Sequence, residues 1–554
     1  MKRILSFFLA LILTFGALSV FPAAENPSDG ELCCPSCREA GDLDGSGAAD
    51  PNDAIRLLYY VTFPEYYSLR EHEGHAKENC AECLAAADLD GSGKADQDDA
   101  IYLLYHSQFP SDYPLPGCTA GPELWMGYSR VDISPEESMA IYGSTATSVH
   151  DPLQMTCTAV YDGENTALLF SLDLRSFNVE FSERMTDLLE ENFGIPADRV
   201  FFNITHTHST PTMNNSTAAG GRWRNKICNQ LLVAVRGALA DLDPVEAAYA
   251  GVGYTSGITF VRRYLLADGT YKMNPGAADK PVAHESEADT QMRTLRIDRK
   301  TKKDILMVNY QTHYGSATGL YKGQYSADFV HVFREAAERK WDCHFVYHSG
   351  ASANLNFVSA LNGERKYSNF VAATVLELIP TAKRCMASEK EVSLGRLCFA
   401  STWREEGVYQ DTAEDIAKAK KVYHSGYDTD SKEYKALLEE NGFVSYRQVQ
   451  GIVTRSGLGK TQSVPFYAIS FGEVGFVSAP YEMFDTNGVQ VREGSPFEMT
   501  FVCSYTNGGF GYVPSAAAFP HGAYEVFVSR FTENTGDEFA KEMIGLLNEC
   551  KKQS

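Results

Sequence analysis

Short apolar runs closed by polar or turn-rich clusters recur along most of the chain. They alternate with stretches whose apolar positions repeat at helical spacing. Thr166–Leu172 (TALLFSL), Arg199–Ile204, Lys303–Gln311 and His344–Tyr347 read as strands. Ser182–Phe193, stopped by Gly194, and Lys226–Leu242 read as helices, as does Ser326–Lys340 with Ser326 as cap and Asp328 in its first turn. Thr412–His424 and Lys432–Asn441 are charged, solvated helices expected to form an insertion or lid over the core. Tyr467–Tyr505 reads as hairpin-like strands. This alternation predicts an α/β to α+β fold with a mixed sheet.

The first part of the chain follows another pattern. Lys2 and Arg3 precede an apolar run from Ile4 to Phe21, followed by Ala23 and Ala24, so residues 1–24 are expected to be a signal peptide. The run also approaches membrane-spanning length, which leaves an uncleaved anchor open. No later segment is long and apolar enough to span. A secreted, extracellular or cell-surface-associated protein is expected. Residues 34–60 (CPSCREAGDLDGSGAADPNDAIRLLYY) then recur as residues 80–106 (CAECLAAADLDGSGKADQDDAIYLLYH). Asp42, Asp44, Ser46, Asp50 and Asp53 fall where an EF-hand-type loop places its calcium ligands, with Gly47 at the turn; Asp88, Asp90, Ser92, Asp96 and Asp99 repeat the set around Gly93. The repeat resembles the dockerin family, whose loops end in Asp. That resemblance implies a small helical calcium-binding module over residues 25–116, with a cohesin-like or neighbouring-domain partner. Cys34/Cys37 and Cys80/Cys83 form two C-x-x-C pairs, open to structural zinc or to disulfides. A Pro/Gly-rich joint, Pro114–Pro122, separates this module from a domain over 123–554.

Composition narrows the function classes. Of 554 residues, 44% are hydrophobic, enough for a substantial core. With 49 basic against 72 acidic residues, the net charge of −23 lacks the basic footprint nucleic-acid binding requires. Thirteen cysteines cannot all pair within the chain, and Cys228, Cys343 and Cys503 sit in apolar settings that favour buried free thiols.

Chemistry concentrates at predicted strand ends. Asn203–Pro211 (NITHTHSTP), Val308–Gly315 (VNYQTHYG), Ser478–Phe484 (SAPYEMF) and Tyr505–Ser515 (YTNGGFGYVPS) offer His206, His208, His313, Glu482 and Tyr512. Strand mouths are where α/β sheets carry ligand sites. Two imidazoles and a carboxylate fill three positions of a catalytic zinc shell and leave one for water. On an extended chain His206 and His208 point the same way, so both can bind, or one binds and the other moves a proton.

These motifs, with GYSRVDISP at Gly127–Pro135 and GAYEV at Gly522–Val526, resemble the neutral/alkaline non-lysosomal ceramidase family from about Trp125 to Glu549. The resemblance implies His206, His313, Glu482 and Tyr512 as zinc ligands, and His208, Arg262 (in FVRRY) and Tyr524 as groups around the bound amide. The family has a Ser assigned as nucleophile; here GASANLNF puts Asn356 at that position and Asn354 at the family's Asp, with Ser352 out of register. Zinc-activated water requires no such Ser. The expectation is a zinc-dependent hydrolase cleaving the C–N bond of an N-acylated lipid or amino sugar. The alternatives are a catalytically degenerate binding or scaffold protein, and a metal-dependent esterase or deacetylase using the same site.

Overall fold

A computed structural model describes residues 43, 51–62, 87–89, 94–108, 124–313, 317–358 and 366–553. They belong to two compact units that divide at Gly121/Pro122.

In the first unit, helices Pro51–Thr62 and Gln97–Gln108 share a small core that includes Leu43, Leu57, Leu89 and Leu103. The internal repeat shows in its hydrogen bonds. Asp53 accepts from the Leu43 N–H and Asp99 from the Leu89 N–H, each at 2.6 Å. Among the predicted calcium ligands, Asp42, Asp44, Ser46, Asp50, Asp90 and Ser92 lie outside the described residues, as do the four C-x-x-C cysteines.

The second unit is built on a nine-stranded mixed sheet. Its main path runs His344–Ser349, Ile305–Tyr310, Gln291–Arg299, Asp243–Tyr254, Trp125–Asp132, Gln154–Tyr161, Thr166–Leu172, Val200–Ile204. Only the pairs at its two ends are parallel: Ile305–Tyr310 with His344–Ser349, and Thr166–Leu172 with Val200–Ile204. A second sheet orders Leu397–Gly407, Thr461–Phe471, Val474–Ala479 and Met499–Ser504.

The strands are apolar on both faces because both faces are covered. Phe201, Leu169, Met307 and Val346 pack with Ile469, Phe476 and Phe501 between the sheets. On the other face, Phe170, Phe202 and Leu168 meet helices Val179–Phe193 and Ala218–Ala240. Val308, Tyr310 and Phe345 meet helix Phe329–Trp341. Helix Thr535–Gln553 covers the outer face of the second sheet through Phe539, Met543 and Leu547. The result is a four-layer α/β/β/α sandwich.

Several elements differ from the sequence expectation. The cap of helix Phe329–Trp341 is Asp328, which accepts from the Phe329 N–H; the Ser326 hydroxyl instead donates to Asp151. Helix Ala218–Ala240 starts ahead of Lys226, capped by Thr217, because its Gly220–Gly221 pair is tolerated inside the first turns. Tyr467–Tyr505 is not all hairpin: after Val474–Ala479 the chain forms helix Asp485–Glu493 and returns as the parallel strand Met499–Ser504.

The charged helices Ala413–Tyr423 and Lys432–Glu440 are joined by a third, Tyr446–Arg455, around a core that includes Val422, Leu438, Val449 and Ile452. The third helix is clamped to the segment carrying Tyr524. A Cβ at Gly451 would fall 1.9 Å from the Phe527 carbonyl, and Arg455 donates to the Phe527 and Ser529 carbonyls. Cys228, Cys343 and Cys503 are buried free thiols. Among the described residues no helix is long and apolar enough to cross a membrane.

Candidate metal centre

The C-terminal ends of three parallel strand pairs converge, and buried asparagines tie them together. Asn203 donates to the Ser504 carbonyl (2.6 Å) and the Thr506 hydroxyl (2.8 Å) and accepts from the Ser349 N–H (2.7 Å). Asn507 accepts from the Phe202 N–H and donates to the Val200 carbonyl. Asn309 donates to the carbonyls of His348 and Val502. These amides satisfy backbone groups that the ending ladders would leave orphaned in the interior.

Immediately beyond Val200–Ile204 and Met499–Ser504, His206 and Tyr505 take left-handed backbone conformations, with φ of 58° and 54°. Such residues cost on the order of 1–3 kcal/mol each. Their rings stack at 4.2 Å, and the Ile204 N–H donates to the Tyr505 carbonyl, so each turn supports the other. His206 and His208 do converge, but through this turn and not through extended periodicity.

His206, His208 and His313 form a group whose ligand nitrogens lie within 4.8 Å of one another and which can hold a metal ion. His206 Nε2 is 3.2 Å from His208 Nε2. Two rings are fixed from behind: His206 Nδ1 lies 2.6 Å from the Arg175 carbonyl and His313 Nδ1 3.3 Å from the Ser352 carbonyl. A carbonyl there requires Nδ1 to carry the proton, which leaves the Nε2 lone pair for a cation. Burial keeps all three imidazoles neutral, pushing His206 down to about 3 and the other two well below their ordinary value. Neutral imidazole is the form that binds metal.

Glu482 Oε2 sits 3.9 Å from His206 Nε2, buried, with no hydrogen-bond partner among the described residues. Burial raises its carboxyl to about 7. An orphaned buried carboxylate oxygen beside neutral imidazoles is the arrangement a cation would complete. Tyr512 pairs in register with Glu482 across a short parallel bridge, and its hydroxyl accepts from Arg262 Nη2 at 3.1 Å.

Arg262 is no surface residue. It is buried, its Nε donates to Glu525 Oε1 at 2.8 Å, and Arg263 Nη1 donates to Glu525 Oε2 at 2.9 Å. Coulombic attraction from Tyr512 and Glu525 outweighs desolvation and raises the Arg262 guanidinium above its ordinary value. Tyr524 stacks edge-on with Tyr512, ring centroids 5.2 Å apart. All seven predicted residues of this site line one cavity of about 620 Å³. Asn356 also faces it, hydrogen-bonded to Asn274, whereas Ser352 is buried with its hydroxyl beside Tyr505.

No family model and no curated protein matches this chain. Solved structures do. Neutral ceramidase from Pseudomonas aeruginosa superposes with a TM-score of 0.56 at 17% identity, over 78% of this chain and 75% of that one. A ceramidase complexed with C2 gives 0.57 at 15% identity, over 78% and 76%. The fold is that of neutral ceramidase. At this identity the likeness concerns the fold alone.

Sequence reading missed three members of this site. Glu525, fully buried between two guanidiniums, lies inside the GAYEV motif, but its partners are over 260 residues away in the chain. Arg175 follows the strand Thr166–Leu172, a strand-end signal of the same kind as the histidines. Arg447 reaches the cavity from the third insertion helix, which was not anticipated.

Proposed function

We propose that this protein is a zinc-dependent hydrolase of the amide bond in an N-acylated lipid or amino sugar. The observation that carries it is the pair of carbonyl-anchored imidazoles, His206 and His313, beside the orphaned Glu482 oxygen on the wall of a substrate-sized cavity. These three, with Tyr512, would hold the zinc. Bound there, zinc supplies Lewis acidity and brings the pKa of water towards neutrality.

The chain's own residues supply the rest. Arg262, fixed by Glu525, presents its remaining nitrogen to the cavity as a donor for the developing oxyanion, with the Tyr524 hydroxyl beside it. His208 has no carbonyl anchor among the described residues, and its Nε2 is placed to hand a proton to the departing amine. With Asn356 on the wall and Ser352 turned away, the side chains favour attack by water over attack by a serine.

The test is zinc content and turnover on a panel of N-acyl amides. We expect about one zinc per chain in the second unit. His313→Ala should lose it together with activity on the order of 1,000-fold, the several kcal/mol a Lewis acid contributes. His208→Gln should keep zinc and lose turnover. Activity untouched by His313→Ala would dispose of the mechanism. Zinc occupancy without hydrolysis of amides or esters would favour a binding role instead.

Export and calcium binding by the repeated front segment are part of the same proposal. Supporting them are the leader-like first residues and the matched Asp53 and Asp99 contacts. Loss of helical circular dichroism on chelation is the expected result.

A further inference from the structure

The cavity above the histidines has a neighbour of about 640 Å³. The two share Arg175, Ser176, His206 and Glu482, so they meet at the candidate metal centre. Among the described residues, Glu482 is the only carboxylate on either wall, against Arg175, Arg262 and Arg447 in the first cavity and Arg175 and Arg530 in the second. That balance runs against a chain of net charge −23.

Arg262 is neutralised by Glu525, but the other three have no carboxylate partner among the described residues. Arg175 lies over the Tyr142 ring, 5.1 Å from its centroid. Arg447 bonds the Gln450 amide and lies over Tyr524. Arg530 makes one long contact of 3.4 Å to the Gln462 side-chain oxygen. Burial lowers its pKa, with no opposing carboxylate. Desolvating a cation without a counter-charge is costly, and a bound anion would offset the cost. The helix Val179–Phe193 also begins at this wall, with Asn178 and Val179 lining it, adding the positive end of its dipole.

We propose that the second cavity is the subsite for an oxyanion carried by the substrate, a carboxylate or phosphate close to the scissile amide, with Arg530 as its main partner and Arg175 at the junction. The substrate is then an acidic N-acyl amide, such as an N-acyl amino acid or a phosphorylated N-acyl amino alcohol, and not a neutral one. This rests on the hydrolase reading above, and the test separates the two.

Three soluble probes share one acyl group: N-hexanoylglycine, N-hexanoyl-O-phosphoethanolamine and the neutral N-hexanoylethanolamine. Their binding to the zinc-loaded full chain is measured by calorimetry, and their hydrolysis in parallel. At least one anionic probe should bind about tenfold or more tightly than the neutral one, as a charge-assisted hydrogen bond predicts. Which anion gains identifies the source. Arg530→Gln should collapse the preference and Arg530→Lys should restore part of it. Equal or tighter binding of the neutral probe, no binding of any probe, or a preference unchanged in a folded Arg530→Gln overturns the subsite. A retained preference without hydrolysis overturns the hydrolase reading and supports the subsite.

Discussion

Two regions of the second unit bury histidines equally well and to different ends. His348, on the strand His344–Ser349, is sealed between the sheets, edge-on to Phe476 and Phe501. Neither of its ring nitrogens has a hydrogen-bond partner among the described residues. His206 lies just past the end of a strand in the same sheet, and burial pushes both rings down to about 3. Burial therefore neutralises an imidazole without making it a ligand. What separates the two is the environment of each nitrogen: a carbonyl fixes one face of His206, and His208 and Glu482 converge on the other.

The sharpest way to break that contrast is to remove one histidine from each region. His206→Ala should weaken zinc binding on the order of 1,000-fold, measured by competition with a chelating dye, because an anchored ligand is lost. His348→Leu should leave zinc content at the wild-type level. Equal zinc loss in both would show that burial, and not anchoring, was the operative property.

A smaller effect is expected from the joinery that brings the strand ends together. Asn203→Leu leaves the Ser349 N–H unpaired in the interior and removes one of two donors to the Ser504 carbonyl, which keeps the Thr506 hydroxyl. At about 1–3 kcal/mol for a stranded buried donor, a loss of that order is expected in urea denaturation. A loss under about 1 kcal/mol would mean that water or relaxation replaces the amide.

How much of this was legible in the sequence follows from the same physics. The strand Thr166–Leu172 and the histidine-bearing ends were readable because apolar runs and their polar terminators are local signals. So was the buried state of Cys228, Cys343 and Cys503. The left-handed turns at His206 and Tyr505 were not, since neither residue type announces a positive φ and the two support one another across some 300 residues. Asn203 and Asn507 lay inside motifs that had been singled out, yet their role as cross-sheet ties depends on partners from remote strands. The burial of the adjacent Arg262 and Arg263 rests on Glu525, a distant partner that nothing local announces. That Arg530 meets no carboxylate among the described residues is likewise a property of the folded neighbourhood, invisible to composition.

The smallest effect returns to His348. Replacing an imidazole whose nitrogens lack partners by an apolar side chain of similar size should stabilise the fold by about 1–2 kcal/mol at neutral pH. The gain should grow in acid. The folded-state pKa of His348 is about 3, against 6.5 in an unfolded chain. Above pH 6.5 the ring is neutral in both states and pH has no hold on it. Between 6.5 and 3 the unfolded chain takes up a proton that the folded chain refuses, so stability falls with pH, by up to about 1.4 kcal/mol per pH unit for one group. His206 adds a term of the same sign in metal-free protein, so the comparison is made between metal-free wild type and His348→Leu. Thermal midpoints from pH 7 to pH 5 should decline less steeply in the variant. Parallel lines would mean that His348 exchanges protons freely in the native state, and that the space between the sheets is wetter than its apolar lining implies.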